Sequence, residues 1–162
     1  MSTSARSTVF TRLALAGLLA AALLVVAAPD SDAAAAVLCN GETATMVGTA
    51  GADEIEGTSG RDVIHTLGGA DSVDGRGGND LICGGSGVDD LDGDAGADRI
   101  YGGRGNDDLE GQLGNDTIFG GRGNDDIEGQ AGDDNLIGGL GFDKVEGGPG
   151  SDTCSGEDVE TC

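Results

Sequence analysis

An aspartate stands at every ninth residue along two-thirds of this chain: Asp53, Asp62, Asp71, Asp80, Asp89, Asp98, Asp107, Asp116, Asp125, Asp134, Asp143 and Asp152. Carboxylates at fixed spacing, embedded in glycines and with no imidazole or thiolate in the same motif, form a donor set for a hard divalent cation. Side-chain and backbone-carbonyl oxygens in a flexible loop are calcium chemistry. Magnesium prefers a smaller octahedron with retained water, and zinc would draw on His or Cys. The one histidine, His65, has no evident nucleophile partner, and the carboxylates are committed to the repeat, so no enzyme is expected. A formal net charge of -22 also excludes nucleic acid as a natural partner, since it would repel phosphate rather than release counterions.

The residues that must position these aspartates recur with them. From Gly48 to Ser155 the pattern GGxGNDxLx repeats twelve times without insertion or deletion. Position four is always Gly, and position one is Gly except at Thr66. Position eight is Ile55, Ile64, Val73, Ile82, Leu91, Ile100, Leu109, Ile118, Ile127, Leu136, Val145 and finally Cys154. Glycines let six residues curl tightly with their carbonyls turned inward, and the next three extend as a short strand. Alternation in that strand points position eight inward and positions seven and nine outward. Two units then make one coil of eighteen residues, and stacked coils give two parallel sheets back to back, edged by loops that carry Asp.

Same-edge carboxylates in such a stack lie about one strand spacing apart and repel by ~1 kcal/mol per neighbouring pair even in a water-like dielectric. A cation between the loops of successive coils, shared by an Asp of unit n and one of unit n+2, would relieve this. Five such gaps on each edge cap the number of ions at ten. Ten calcium ions carry about twenty positive charges, close to the net charge of the chain.

On these residues the sequence resembles the repeats-in-toxin (RTX) hemolysin-type calcium-binding repeats, whose consensus GGxGxDxUx is matched most closely at 102 GGRGNDDLE 110 and 120 GGRGNDDIE 128. The resemblance implies an all-β, right-handed parallel β-roll with calcium in its turns, disordered at low calcium and folding on export. Position two is Gly at Gly85, Gly103, Gly121, Gly139 and Gly148, so units five, seven, nine and eleven make the better edge. There the backbone carbonyls around Gly84, Gly85, Gly87, Gly102, Gly103, Gly105, Gly120, Gly121, Gly123, Gly138, Gly139 and Gly141 would complete the coordination. Units one to three carry Thr49, Thr58 and Leu67 at position two, which makes sites involving Asp53 and Asp71 the poorer ones.

The ends speak of export. Arg6 and Arg12 precede an apolar run from Leu13 to Ala28, followed by small residues, so residues 1–36 are expected to be a secretory signal peptide cleaved near 33–36. A retained anchor is the competing reading, although the run is shorter than the ~20 residues a spanning helix needs. The remaining organisation is a lead-in segment or cap at 37–47, the calcium-binding roll at 48–155 and a C-terminal cap at 156–162. Four cysteines in an exported chain read as two disulfides. Cys154 with Cys162 would close the C-terminus and leave Cys39 with Cys83, although sequence alone allows two other pairings.

The two outer faces differ. Position nine is Glu56, Asp74, Asp92, Glu110, Glu128 and Glu146 on odd units, but His65, Cys83, Tyr101, Phe119, Ile137 and Ser155 on even ones. Cross-strand packing accounts for the second ladder. The sharper alternative is a stripe centred on Tyr101 and Phe119 that binds a cell-envelope or protein partner. The expected function is thus a secreted, extracellular calcium-binding protein without a membrane span in its mature chain. An adhesion module in which calcium is purely structural is the rival.

Overall fold

The computed structural model describes residues 36–162, and among them every regular element is a β-strand. The secretory segment expected over 1–36 lies, apart from Ala36, outside the described residues. Strands β1 (Leu38–Cys39) and β2 (Glu42–Thr43) form an antiparallel hairpin. The chain then alternates between two faces through β3 (Met46–Val47), β4 (Glu54–Glu56), β5 (Val63–His65), β6 (Ser72–Asp74), β7 (Leu81–Ser86), β8 (Asp90–Asp92) and β9 (Arg99–Arg104). It continues through β10 (Asp108–Glu110), β11 (Thr117–Arg122), β12 (Asp126–Glu128), β13 (Asn135–Leu140), β14 (Lys144–Glu146), β15 (Thr153–Ser155) and β16 (Asp158–Thr161).

Each face is a seven-stranded sheet. Strands β3, β5, β7, β9, β11, β13 and β15 make one, here the aromatic sheet, and β4, β6, β8, β10, β12, β14 and β16 make the other, the acidic sheet. Neighbours pair in parallel with a register of eighteen residues, Ile82 beside Ile100 beside Ile118 on one sheet and Leu91 beside Leu109 beside Ile127 on the other. The fold is the parallel β-roll that the nonapeptide dictates, two units to a coil.

Register decides what is buried. With an exact eighteen-residue offset every position-eight side chain lands on its predecessor, and Ile55, Ile64, Val73, Ile82, Leu91, Ile100, Leu109, Ile118, Ile127, Leu136 and Val145 form one continuous core. Met46 and Cys154 close it at the two ends. The aliphatic column is therefore both the main hydrophobic interior and the device that keeps the coils in phase.

Two features go beyond the repeat. The aromatic sheet has six-residue strands at β7, β9, β11 and β13 rather than the expected three, because the backbone stays extended through the Gly-Gly step and pairs again at Gly85, Gly103, Gly121 and Gly139. The sheets also run past the twelve nonapeptides. Strand β3 pairs with β5, and β16 pairs with β14 through a register shift between Val145 and Glu146. Only Gly156 and Glu157 link β15 to β16, too few to build the usual six-residue loop.

A cavity in the column has nowhere to collapse, since each side chain is clamped by the coils above and below. Ile118→Ala should therefore cost about 2–5 kcal/mol, whereas Val88→Ala, at an exposed loop position, should stay within about 0.5 kcal/mol. Denaturant midpoints of the two variants in saturating calcium measure the difference.

Candidate metal centre

The six-residue turns of units three to twelve take a left-handed backbone at position two. Its φ is +76° at Leu67, +68° at Arg76, +64° at Asp94, +68° at Gln112 and Gln130, and +93° to +112° at the glycines Gly85, Gly103, Gly121, Gly139 and Gly148. This bend folds the loop back over its own aspartate. The aspartates from Asp71 to Asp143 are consequently almost wholly buried, at most 3% exposed, although they sit at the edges of the roll.

From Asp71 onward, one oxygen of each carboxylate is fixed by the neighbouring coil. The backbone N–H of Asp98 donates to Oδ1 of Asp116 (2.8 Å), that of Asp116 to Oδ1 of Asp134 (2.8 Å), and on the opposite edge that of Asp89 to Oδ1 of Asp107 (3.1 Å) and that of Asp107 to Oδ1 of Asp125 (3.0 Å). The pattern starts with Asp53 on Asp71 and Asp62 on Asp80 and ends with Asp134 on Asp152. The sequence places these aspartates in pairs across coils, and the structure shows a backbone donor orienting the second member of each pair.

The other oxygen is bare. Oδ2 of Asp71, Asp80, Asp89, Asp98, Asp107, Asp116, Asp125, Asp134 and Asp143 is buried without a hydrogen-bond partner. A buried unpaired carboxylate oxygen is costly, and nine of them in one small domain require a common partner. The space in front of them is defined by the position-one glycines. A Cβ built on Gly84 would lie 2.6 Å from Asp89 Oδ2 and 2.8 Å from the carbonyl oxygen of Gly102. Equivalent points at Gly102 and Gly111 lie 2.6 Å from Asp107 Oδ2 and from Asp116 Oδ2, and 2.7 and 2.9 Å from the carbonyls of Gly120 and Gly129. A carboxylate oxygen of one unit and a carbonyl oxygen of the next coil thus converge where no side chain stands. Two oxygens of those types fit a hard cation such as calcium.

Burial without a cation perturbs the acids. Desolvation raises Asp116 to about 7 and both Asp98 and Asp107 to about 6, with the next aspartates of the same ladder adding repulsion and the N–H donor opposing it. Asp80, Asp89, Asp125 and Asp134 are raised for the same first reason.

The first two units are built differently. Thr49 and Thr58 do not take the left-handed bend, which a β-branched residue resists. Thr49 instead donates its N–H (2.6 Å) and hydroxyl (3.0 Å) to Asp53 Oδ2, and Thr58 its N–H (2.7 Å) and hydroxyl (2.9 Å) to Asp62 Oδ2. Sequence reasoning identified the departures but not the hydroxyls as partners. It also missed a second ladder at position five. There Asn79 accepts from Ala97, Asn106 from Asn124, Asn115 from Asp133 and Asn124 from Phe142, satisfying loop N–H groups outside the metal ring. Asparagine at position five of units four, seven, eight and nine was the signal for it.

The family model described as RTX calcium-binding nonapeptide repeat (4 copies) matches residues 47–82, 84–118, 102–136, 110–145 and 128–158. The chain belongs to this family. Searches of the curated proteins and of the solved structures return no match. Calcium binding by the RTX repeats agrees with the hard-oxygen donors at the turns.

The remaining sequence-predicted features fall outside the turns. Cys39 is bonded to Cys83 and Cys154 to Cys162, with Cα atoms 5.7 and 6.1 Å apart. The first bond holds the β1–β2 hairpin on the outer face of the aromatic sheet, where Cys39, Val63 and Leu81 make a second small core with Ala44 and Tyr101. Tyr101 stacks on Phe119 with ring centroids 4.9 Å apart, and its hydroxyl accepts from Asn40 Nδ2 (2.8 Å). His65 lies near the same hairpin, its pKa lowered by burial and partly restored by a hydrogen bond to the backbone of Leu38.

The raised aspartates fix the sign of the pH response. Between the ordinary carboxylate value and about 6 to 7, the metal-free roll binds more protons than the unfolded chain, so its stability falls as pH rises through that window. Calcium reverses the slope, because protons then compete with the metal for the same oxygens. Circular dichroism should show the chelated chain gaining β structure from about pH 7.5 to about pH 5, and the chain in limiting calcium losing it.

Proposed function

We propose that this chain is a secreted calcium-binding protein whose β-roll folds as calcium fills the loops between successive coils. The observation that carries the reading is the set of nine buried, unpartnered Oδ2 atoms on the two edges of the roll. Eight of them, on Asp80, Asp89, Asp98, Asp107, Asp116, Asp125, Asp134 and Asp143, face a position-one glycine of their own unit and are the ligands proposed here. The carbonyls of Gly93, Gly102, Gly111, Gly120, Gly129, Gly138 and Gly147 lie against the same space and are their proposed companions.

Coupling of binding to folding follows from the same geometry. In the unfolded chain the aspartates are solvated and far apart. Folding strips their water and stacks them at one strand spacing, a cost that a divalent cation offsets and that the thin aliphatic column is poorly placed to offset alone. When bound, calcium supplies charge neutralisation and joins two coils. The protein's part is to hold the carboxylates in place through the Oδ1 hydrogen bonds and to keep position one free of a side chain.

Secretion is supported by the charged and apolar leader at the N-terminus and by disulfides, which persist in oxidising surroundings. Extracellular calcium modules bind at about 0.1 to 1 mM, a range that would leave the roll unfolded before export and filled afterwards. The packing of Tyr101 under the N-terminal hairpin, beside Asn40 and stacked on Phe119, supports a structural role for the aromatic ladder.

Far-UV circular dichroism of the oxidised chain, titrated from chelator, should show a cooperative gain of β signal near millimolar calcium and none with magnesium. A chain already folded in chelator and indifferent to calcium would refute the reading. Asp107→Asn should raise the calcium midpoint several-fold, whereas Asp53→Asn, at an oxygen already satisfied by Thr49, should leave it within about twofold. Calorimetric titration of both variants measures the comparison.

A further inference from the structure

The first coil differs from all later ones in how it satisfies its aspartates. In units one and two the Oδ2 atoms that stand bare elsewhere accept two hydrogen bonds each, from the N–H and the hydroxyl of Thr49 or of Thr58. The same hydroxyls accept from the position-four N–H groups, Gly51 on Thr49 (3.2 Å) and Gly60 on Thr58 (3.2 Å), so each Oδ2 is satisfied from within its own loop. Unit three adds a third threonine. Fully buried Thr66 stands where every other unit has its first glycine, and its hydroxyl donates to the carbonyl of Gly84. That carbonyl is therefore spoken for, and the space in front of Asp71 holds a side chain.

A second set of contacts fastens this part of the chain. The Cys39–Cys83 bond and the small core of Cys39, Val63 and Leu81 clamp the hairpin onto units two and four. Thr45 exchanges hydrogen bonds with the backbone of Val63 (3.0 and 3.1 Å), and Arg61 pairs with Glu42 at 2.7 Å. None of these contacts uses a metal.

We propose that the N-terminal coil is a metal-independent template: it folds on threonine hydroxyls and a disulfide, stands preformed in the absence of calcium, and offers strands β4 and β5 as the edge on which the metal-dependent coils assemble. The inference rests on the calcium-folding reading above. It assigns the first coil no ion and gives assembly a direction, from the N-terminus onward. Forming the first coil of a solenoid is the slow step, because later coils add to an existing edge while the first has none. A preformed edge removes that step, so that calcium acts on propagation.

Hydrogen exchange of the full, oxidised chain in chelator tests this. Amides bonded within units one and two, among them Thr49, Gly51, Thr58 and Gly60, should be protected while those of units six to ten exchange freely, and calcium should extend protection along the roll. Thr49→Val with Thr58→Val should lower the protection in chelator by on the order of ten- to a hundredfold per lost hydroxyl, and Thr49→Ser with Thr58→Ser should restore it. A calcium-saturated dichroism spectrum matching that of the unsubstituted chain confirms that the Val variant still folds. No protection anywhere in chelator would overturn the template while leaving the calcium-folded roll standing. Uniform protection in chelator would overturn both.

Discussion

Parallel stacking in strict register sets every other property of this molecule. An eighteen-residue repeat places each residue over its counterpart at one strand spacing, and like then meets like in both interior and loops. For isoleucine and leucine at position eight this is a gain, because identical side chains pack into an unbroken column. For the aspartate at position six it is a cost, repeated up both edges, and at Asp98, Asp107 and Asp116 it adds to the larger effect of burial in raising the carboxyl groups. The stack that builds the core also builds the charge problem, and a cation at the turns would answer both the repulsion and the unpaired Oδ2 atoms.

Much of this was legible in the residues. A period written into the covalent chain fixes the register, and from the register follow the aliphatic column from Ile55 to Val145 and the segregation of an acidic face from an aromatic one. The backbone within the turns was less legible. Position two is left-handed at Leu67, Arg76, Asp94, Gln112 and Gln130 as well as at glycines, so the absence of Gly there does not remove the bend. Only threonine does, because branching at Cβ resists that bend and its hydroxyl offers the alternative closure seen with Asp53 and Asp62. Nor does the period describe the segments outside it. The hairpin laid over Tyr101 and the shifted pairing of β16 depend on contacts with no counterpart in the repeat.

The ends and the middle of the roll obey different chemistry. The middle repeats one loop type and shows a bare carboxylate oxygen at each turn, whereas the N-terminal end uses threonine, a disulfide and a small apolar cluster, and the C-terminal end a second disulfide. Solenoids need distinct ends, since an open terminal strand is a template for further pairing. Here the distinction lies in which interactions can form before metal arrives. On the proposed reading, a chain ordered this way would remain extended in its long central portion where calcium is scarce and complete itself where calcium is plentiful.

The claim on which all of this turns is that the bare Oδ2 atoms are calcium ligands. A crystal structure of the calcium-loaded chain, with anomalous scattering used to identify the metal, addresses it most directly. The account predicts calcium peaks within about 2.3 to 2.6 Å of Oδ2 of aspartates from Asp80 to Asp143, and no peak at Asp53 or Asp62. A folded roll in millimolar calcium with only water against those oxygens, or with metal confined to the acidic outer face, would contradict it.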